Sequence, residues 1–330
     1  MSDTALQDRL RESDDRTRSI AVLIPCYNEQ VTIAKVVRDF KMALPGCQVY
    51  VYDNNSKDNT RSVAHAAGAI VRTETLQGKG HVVRRMFADV DADVYVLVDG
   101  DDTYDAGAVE HMVHMLITDN LDMVTGTRSH ETDEAYRMGH QFGNAVLTGA
   151  VRKIFGARIS DMLSGYRVFS RRFVKSFPAL SVGFETETEF TVHALELQMP
   201  VGEQLIRYGA RPVGSVSKLN TIRDGIRIAR TIVMLVKDER PLQFFSAISL
   251  LLFLVAIALG IPVISEFVRT GLVPRFPTAI LSASLVLLSF LTLASGLILD
   301  TVSTGRREIK RLAYLSLPSP LALQVQRSRG

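Results

Sequence analysis

Two cysteines in 330 residues, Cys26 and Cys47, form no metal-ligand spacing. With no apolar signal segment ahead of them they read as reduced thiols, and Cys26 as a packing residue. No G-x-G-x-x-G occurs, so a dinucleotide site is unsupported. Gly78-Lys79-Gly80 is not a Walker loop, because Gly80 stands where Ser or Thr is needed and Thr73 where Gly is needed. His111 and His114 lie three apart on a predicted helix without a further His or Cys nearby, which reads as a surface helix face rather than a zinc site. Net charge is only +3, so no globally acidic or basic partner is implied, nucleic acid included. Residues 1–19 have neither the apolar centre of a signal peptide nor an amphipathic transit pattern. They are expected to be a disordered, solvated leader.

What is present is a set of apolar runs that end in polar chemistry. Val94-Tyr95-Val96-Leu97 runs into Asp99, Asp101 and Asp102, three acids within four positions. The run reads as a buried strand. Like charges this close repel, and a hard divalent cation with oxygen ligands relieves the repulsion. A solvated acidic loop is the other reading, and the stretch alone leaves both open. Ile20 to Ile24 is a second such run, ending at Pro25. Val49 to Tyr52 is a third, ending at Asp53. Ala69 to Arg72 is a short strand, and Met123 to Thr125 leads to Arg128. Helices are expected from Asn28 to about Phe40, Lys57 to Ala67, His81 to Asp89 and Ala106 to Ile117. Alternating strands and helices predict a mostly parallel sheet covered on both faces. Ligands of such sheets bind beyond the carboxyl ends of the strands, where Pro25, Asp53, Asp99 and Arg128 are expected to converge.

Leu242 to Ile264 and Phe276 to Leu299 carry no charge. Each exceeds the roughly 20 apolar residues that cross a bilayer core. Charge is unevenly placed around them. Gln204 to Arg240 holds eight Lys or Arg against three acids, and Thr301 to Gly330 six against one. By the positive-inside rule both ends of the chain face the cytoplasm. The expected organisation is a leader (1–19), a cytoplasmic domain (20–218), an amphipathic stretch (219–241), a transmembrane hairpin (242–300) and a basic tail (301–330). Within Thr221 to Val236, Arg223, Arg227 and Arg230 form one stripe, with Ile222, Ile226, Ala229 and Val233 beside it. That pattern suits a helix at a membrane surface or one covering the sheet.

Five motifs in order carry a family resemblance. Pro25-Cys26-Tyr27-Asn28-Glu29 resembles the opening PxYNE of family-2 glycosyltransferases. Asp53 to Thr60 resembles their DDGSxDxT signature, with Asn54 in place of the second acid. Asp99-Gly100-Asp101 is similar to their DxD. Asp161 to Arg167 resembles the acceptor-side segment of the polyisoprenyl-phosphate branch, and two C-terminal spans match its bacterial members. Gly183 to Glu189 also looks like a segment of that branch, and its acids receive no catalytic role. The resemblance covers about residues 18–312 and implies a GT-A type nucleotide-sugar-binding domain followed by two transmembrane helices.

The resemblance also implies roles. Pro25, Tyr27 and Glu29 wall the base and ribose of the donor, Asp53 accepts from the base, and Lys79 and Gly100 join the donor site. Asp99 and Asp101 hold Mg2+ or Mn2+ against the diphosphate. Thr103 stands where relatives often have a Gln metal ligand, so a water is expected to share that place. Arg128, Arg137, Ser164, Arg167 and Lys218 are candidates for gripping a lipid phosphate; Arg128 is counted with Asp99 and Asp101 as catalytic. The implied reaction is inverting transfer from a nucleotide sugar, a UDP-sugar before GDP-mannose, to undecaprenyl or dolichyl phosphate. It would make a lipid-linked sugar at the cytoplasmic face for envelope or glycan modification, in a chain expected to form homo-oligomers. Alternatives are another glycan acceptor, or a non-enzymatic nucleotide-sugar binder. A processive synthase needs a QxxRW segment, and this chain has no Trp.

Overall fold

A computed structural model describes residues 18–129, 149, 160–180, 183, 185–209, 230, 233–234 and 236–322. The chain divides into two compact units. One holds the sheet together with the segment from Lys310 onward, and the other runs from Ala229 to Ile309.

The first unit opens with β1 (Ile20–Cys26), α1 (Ile33–Ala43), β2 (Gln48–Asp53), α2 (Thr60–Ala66), β3 (Ile70–Thr73), α3 (Lys79–Asp89) and β4 (Val94–Leu97). A short 3-10 turn, Ala106–Ala108, leads into α4 (Val109–Thr118), then β5 (Met123–Ser129). Beyond these expected elements come β6 (Arg167–Ser170), α5 (Arg171–Ser176), α6 (Thr186–Glu196) and β7 (Val201–Arg207). The seven strands are ordered β3-β2-β1-β4-β6-β5-β7. All pairings are parallel except those of β6, which runs antiparallel to both β4 and β5. The sheet is therefore mixed, with the GT-A-like α/β architecture expected. The antiparallel strand has a positional consequence. Its N-terminal end, Gly165-Tyr166-Arg167, lies at the same sheet edge as the carboxyl ends of β1, β2, β4 and β5.

Burial explains why β6 reads poorly as a strand. All four of its residues are buried, and one is Arg167, level with Leu97 and Thr125. Alternate positions serve the two sides of the sheet. Tyr166 and Val168 join the core of β1, α1, β4 and α4. Phe169 joins an aromatic cluster with Phe87, Phe173, Phe177, Phe190 and His193.

The second unit contains α7 (Pro241–Thr270) and most of α8 (Phe276–Leu315). Two helices are long and apolar enough to cross a membrane. α8 continues as helix well past Leu299, where its uncharged run ends, so the expected tail begins as helix. The buried residues of α7 include Ser249, Ala256 and Val263, and those of α8 are Ser289, Gly296 and Ser303. Both series step by seven, the repeat that keeps one seam facing a partner helix. The Ser249 and Ser289 hydroxyls lie 2.9 Å apart, and each donates to the other's backbone carbonyl. Most of the Thr221 to Val236 stretch lies outside the described residues, as do residues 1–17 and 323–330.

Candidate active site

Three loops at the carboxyl edge are stitched together before any ligand is considered. The loop after β1 is tied to the loop after β2: Asn28 N donates to Ser56 Oγ at 2.9 Å, and Lys57 N to Asn28 Oδ1 at 2.8 Å. Asn28 and Asn55 adopt left-handed backbone (φ 55° and 65°), which Asn tolerates better than most residues. Asn54 carries the next connection. Its Nδ2 donates to the carbonyls of Glu74 and Leu76, and its Oδ1 accepts from Gly78 N at 2.7 Å. An aspartate has no N–H to donate, so the departure from the family signature has a structural reason. Through Asn54 the second loop sets the approach to Lys79, the first residue of α3.

Asp53 ends β2 with 1% of its surface exposed. Its Oδ2 accepts from Ser56 N, while Oδ1 is buried with no hydrogen-bond partner. A buried carboxylate oxygen left unsatisfied is costly, and a ligand N–H or O–H satisfies it. Pro25, near the end of the neighbouring strand β1, and Tyr27 and Glu29, in the loop that follows it, are each partly exposed.

The acids after β4 separate into distinct environments. Asp99 Oδ1 accepts from Lys79 Nζ at 2.5 Å, and Lys79 also reaches Glu187 Oε1 at 2.5 Å. Burial works against the ammonium charge, but Asp99 and Glu187 outweigh it and hold Lys79 above the usual lysine range. On its other side Asp99 lies against Gly165, where a Cβ would collide with its carboxylate. Asp101 is buried, and its Oδ1 accepts from the Thr103 amide and, at 2.6 Å, from the Thr103 hydroxyl. Thr103 therefore holds and orients Asp101. Asp102 has φ 58° and pairs with Lys35 at 2.7 Å on the outside of the turn. Gly100 fits only as glycine, since a Cβ there would approach Cys26 Sγ to 2.8 Å.

Of the five residues expected on an acceptor phosphate, Arg137 and Lys218 lie outside the described residues. Two others need correction. Arg167 is fully buried; its guanidinium donates to Ser164 O, Met162 O and Thr191 Oγ1, and burial pushes its pKa down to about 10. Ser164 is equally buried and donates to Gly126 O. Both brace the turn that leads into β6 and carries Gly165, and neither faces a ligand. Arg128 does stand at the edge. Its Nε and Nη2 form a bidentate pair with Asp161 at 2.7 and 2.8 Å, and its guanidinium lies 5.5 Å from the Tyr208 ring centre. Burial raises the Asp161 carboxyl, but the hydrogen bond and charge of Arg128 outweigh it and hold it below its usual range.

Asp161, Glu187 and Asn54 are functional neighbours that motif reading passed over. The signal for Asp161 and Glu187 was their place inside the two branch-like segments. The signal for Asn54 was its departure from the signature.

Among the described residues no group of three or more His, Cys, Asp or Glu could hold a metal. Asp99 and Asp101 offer two carboxylates at one strand end. That oxygen pair suits Mg2+ or Mn2+, which commonly complete their coordination with water and substrate phosphates.

A mixed sheet of GT-A-like architecture, with two strand-end acids and an orphaned buried carboxylate oxygen gathered at its carboxyl edge, is the frame of the candidate site. Residues 21–177 match the family model described as Glycosyl transferase family 2. Glycosyltransferase AglJ of Haloferax volcanii is 31% identical over 300 residues, covering 90% of this chain and 98% of that protein. An uncharacterized protein of Shigella flexneri is 58% identical over 155 residues, 47% of this chain and 95% of that one. A dolichyl-phosphate hexose transferase of H. volcanii is 26% identical over 221 residues, 67% of this chain and 95% of that one. In fold, the chain resembles the crystal structure of Mycobacterium tuberculosis glucosyl-3-phosphoglycerate synthase. The TM-score is 0.55 at 22% identity, covering 68% of this chain and 82% of that one. The chain belongs to glycosyl transferase family 2, and transfers a sugar from a nucleotide sugar.

Proposed function

We infer that the acceptor is a polyisoprenyl phosphate and that the product is a lipid-linked sugar made at the membrane surface. The observation that carries this reading is that two helices long enough to cross a bilayer follow the transferase sheet in the same chain. They keep an enzyme with a water-soluble donor beside an acceptor that never leaves the bilayer. The dolichyl-phosphate hexose transferase matched over 95% of its length supports the same acceptor class. By the positive-inside rule the basic flanks favour a cytoplasmic site and cytoplasmic chain ends.

On this reading Asp53 Oδ1 accepts from the nucleobase, with Pro25, Tyr27 and Glu29 walling the nucleoside. Lys79, at the N-terminus of α3, faces the diphosphate, where cation and helix dipole both favour an anion. Asp99 and Asp101 would hold a divalent cation; a glucosyl-3-phosphoglycerate synthase of similar fold was crystallised with Mn2+ and UDP-glucose. That ion supplies positive charge against the departing nucleotide diphosphate. The acceptor phosphate has a second pKa near ~6 and is already anionic at neutral pH, so the chain need not supply a base. Arg128, set by Asp161, orients that phosphate at the sugar's anomeric carbon. One in-line displacement then inverts the configuration.

The test incubates membranes containing the chain with labelled UDP-sugars, GDP-mannose and undecaprenyl phosphate. Label extracted into the lipid phase supports the reading and names the donor. Asp101→Asn is expected to abolish transfer, by at least about a hundredfold, the scale of losing one stabilising group in a transition state. Asp102→Asn is expected to leave it intact. Label entering a water-soluble glycan with none in lipid would overturn the acceptor assignment.

A further inference from the structure

Lys79 is bound by two carboxylates that do different work. Asp99 is about a third exposed, at the strand end where the cation of the donor complex is expected. Glu187 is buried, on the first turn of α6, and its second oxygen, Oε2, has no hydrogen-bond partner. Lys79 Nζ bridges them at 2.5 Å to each. A lysine in that position supplies the positive charge that Asp99 would otherwise take from a metal. The two cations compete for Asp99 Oδ1, and like charges are not accommodated at one carboxylate oxygen at no cost.

Resting on the reading that this crevice takes a nucleotide diphosphate with a divalent cation, we propose that Lys79 is a resident counter-ion. It neutralises Asp99 in the donor-free protein and is passed to the diphosphate when metal and donor arrive together. Glu187 is the tether. Its carboxylate stays with Lys79 throughout and keeps the ammonium in the crevice after Asp99 has released it. The device makes metal binding conditional on donor. Without a nucleotide the metal must displace a lysine from Asp99; with one, the diphosphate draws that lysine away. Glu187 is thereby a positioning residue acting through Lys79.

The site has a geometric reason to work this way. Asp99 is confined between Lys79 on one side and Gly165 on the other, with no space for a Cβ at 165. Gly165 leaves that carboxylate its room beside the lysine, and the exchange is made by the longer side chain, Lys79. Four methylenes pivoting on the first residue of α3 allow it.

The experiment measures Mn2+ binding by electron paramagnetic resonance on the full chain in detergent, without nucleotide and with saturating UDP or GDP. Lys79→Met is expected to tighten Mn2+ binding without nucleotide by about tenfold, because a unit positive charge is removed within a few ångström of the metal carboxylate. The same variant shrinks the gain in Mn2+ affinity that the nucleotide confers. By reciprocity it equally shrinks the gain in nucleotide affinity that Mn2+ confers. Glu187→Gln alone leaves Lys79 to Asp99 and weakens nucleotide-free Mn2+ binding. The double variant Lys79→Met, Glu187→Gln removes both buried charges together, which guards against loss of fold, and tightens Mn2+ like the single lysine variant. Unchanged or weaker nucleotide-free binding in both lysine variants overturns the proposal. So does an equal gain from Glu187→Gln alone. No acceptor enters the measurement, so its outcome stands whichever acceptor proves correct. Absence of UDP and GDP binding by wild type would count against the donor reading itself.

Discussion

At the scale of single residues, the site is set by side chains whose work is invisible until their partners are known. Asn54 occupies the place of an acid in the family signature, yet it is buried and uses both ends of its amide. Asn54→Asp would forfeit the donations to Glu74 O and Leu76 O and set a second buried carboxylate beside Asp53. Leaving the buried Glu74 carbonyl unpaired costs about 1–3 kcal/mol, and the partly exposed Leu76 carbonyl less. We expect thermal unfolding to show a loss of about 2–4 kcal/mol, with nucleotide affinity falling further because Gly78 and Lys79 lose their anchor. Gain of metal or nucleotide affinity in this variant would show that the signature acid is tolerated and the amide is not needed. Asp53, Asp99 and Asp101 were legible because each ends an apolar run, and strand ends are where such folds bind ligands. Arg167 and Ser164 were misread for a related reason. A motif gives position along the chain but not which way a side chain points. In a fully buried strand such as β6 no polar alternation marks the buried face.

At the scale of elements, the parallel half of the sheet could be read from sequence almost strand by strand, and its second half could not. β1 to β5 are apolar runs with helices between them, whereas β6 is four residues long and contains an arginine. Its antiparallel direction brings Gly165 to the ligand edge, a placement that only the strand order reveals. The helix pair shows the opposite pattern. Two uncharged runs announced themselves, while the seam between them is built largely from small residues that carry little hydrophobic signal. Ser249 against Ser289, and Gly296 against Phe245, let the backbones approach closely, the usual contact of helices in lipid. A Cβ on Gly296 would lie 2.8 Å from Phe245 Cβ. Gly296→Leu is therefore expected to cost about 1–3 kcal/mol, the usual scale for overpacking, read as a lower unfolding temperature in detergent. Gly296→Ala should cost less, and Ile298→Ala, at an exposed position on the far side of the helix, should serve as a comparison away from the glycine. Equal effects of all three would indicate that no close helix contact exists there.

At the scale of the whole molecule, the chain leaves the sheet unit after the first 228 residues and rejoins it from Lys310 onward. The returning segment is fastened by charge. Lys310 pairs with Glu196 at 2.7 Å, and Tyr314 donates to the fully buried Asp122, which also holds Arg172 and Ser170. α6 thus carries Glu187 in the crevice at one end and Glu196 on the returning segment at the other. Between them sits His193, buried among Phe173 and Phe177 and hydrogen-bonded to Ser176 Oγ at 3.1 Å. Burial, reinforced by the charge of Lys310, pushes its pKa down to about 3. The sign follows directly. Near pH 6.5 an unfolded histidine begins to bind a proton that the folded one refuses, so stability is complete above that pH and falls as pH drops toward about 3. The slope approaches about 1.4 kcal/mol per pH unit inside that window. Asp161, whose pKa is held low, adds its own loss only below about pH 4, where its unfolded counterpart takes up a proton. Between pH 4.5 and 6.5 His193 gives a loss on acidification, while Glu187, whose carboxyl burial pushes above its usual range, takes up its proton earlier in the folded chain and works in the opposite direction. Thermal unfolding of the full chain across that range should steepen with acid in wild type and flatten in His193→Gln, which keeps a polar partner for Ser176 and cannot charge. Parallel curves for wild type and His193→Gln from pH 6.5 to 4.5 would mean that His193 takes its proton in place, and that its burial in α6 sets no acid limit on this core.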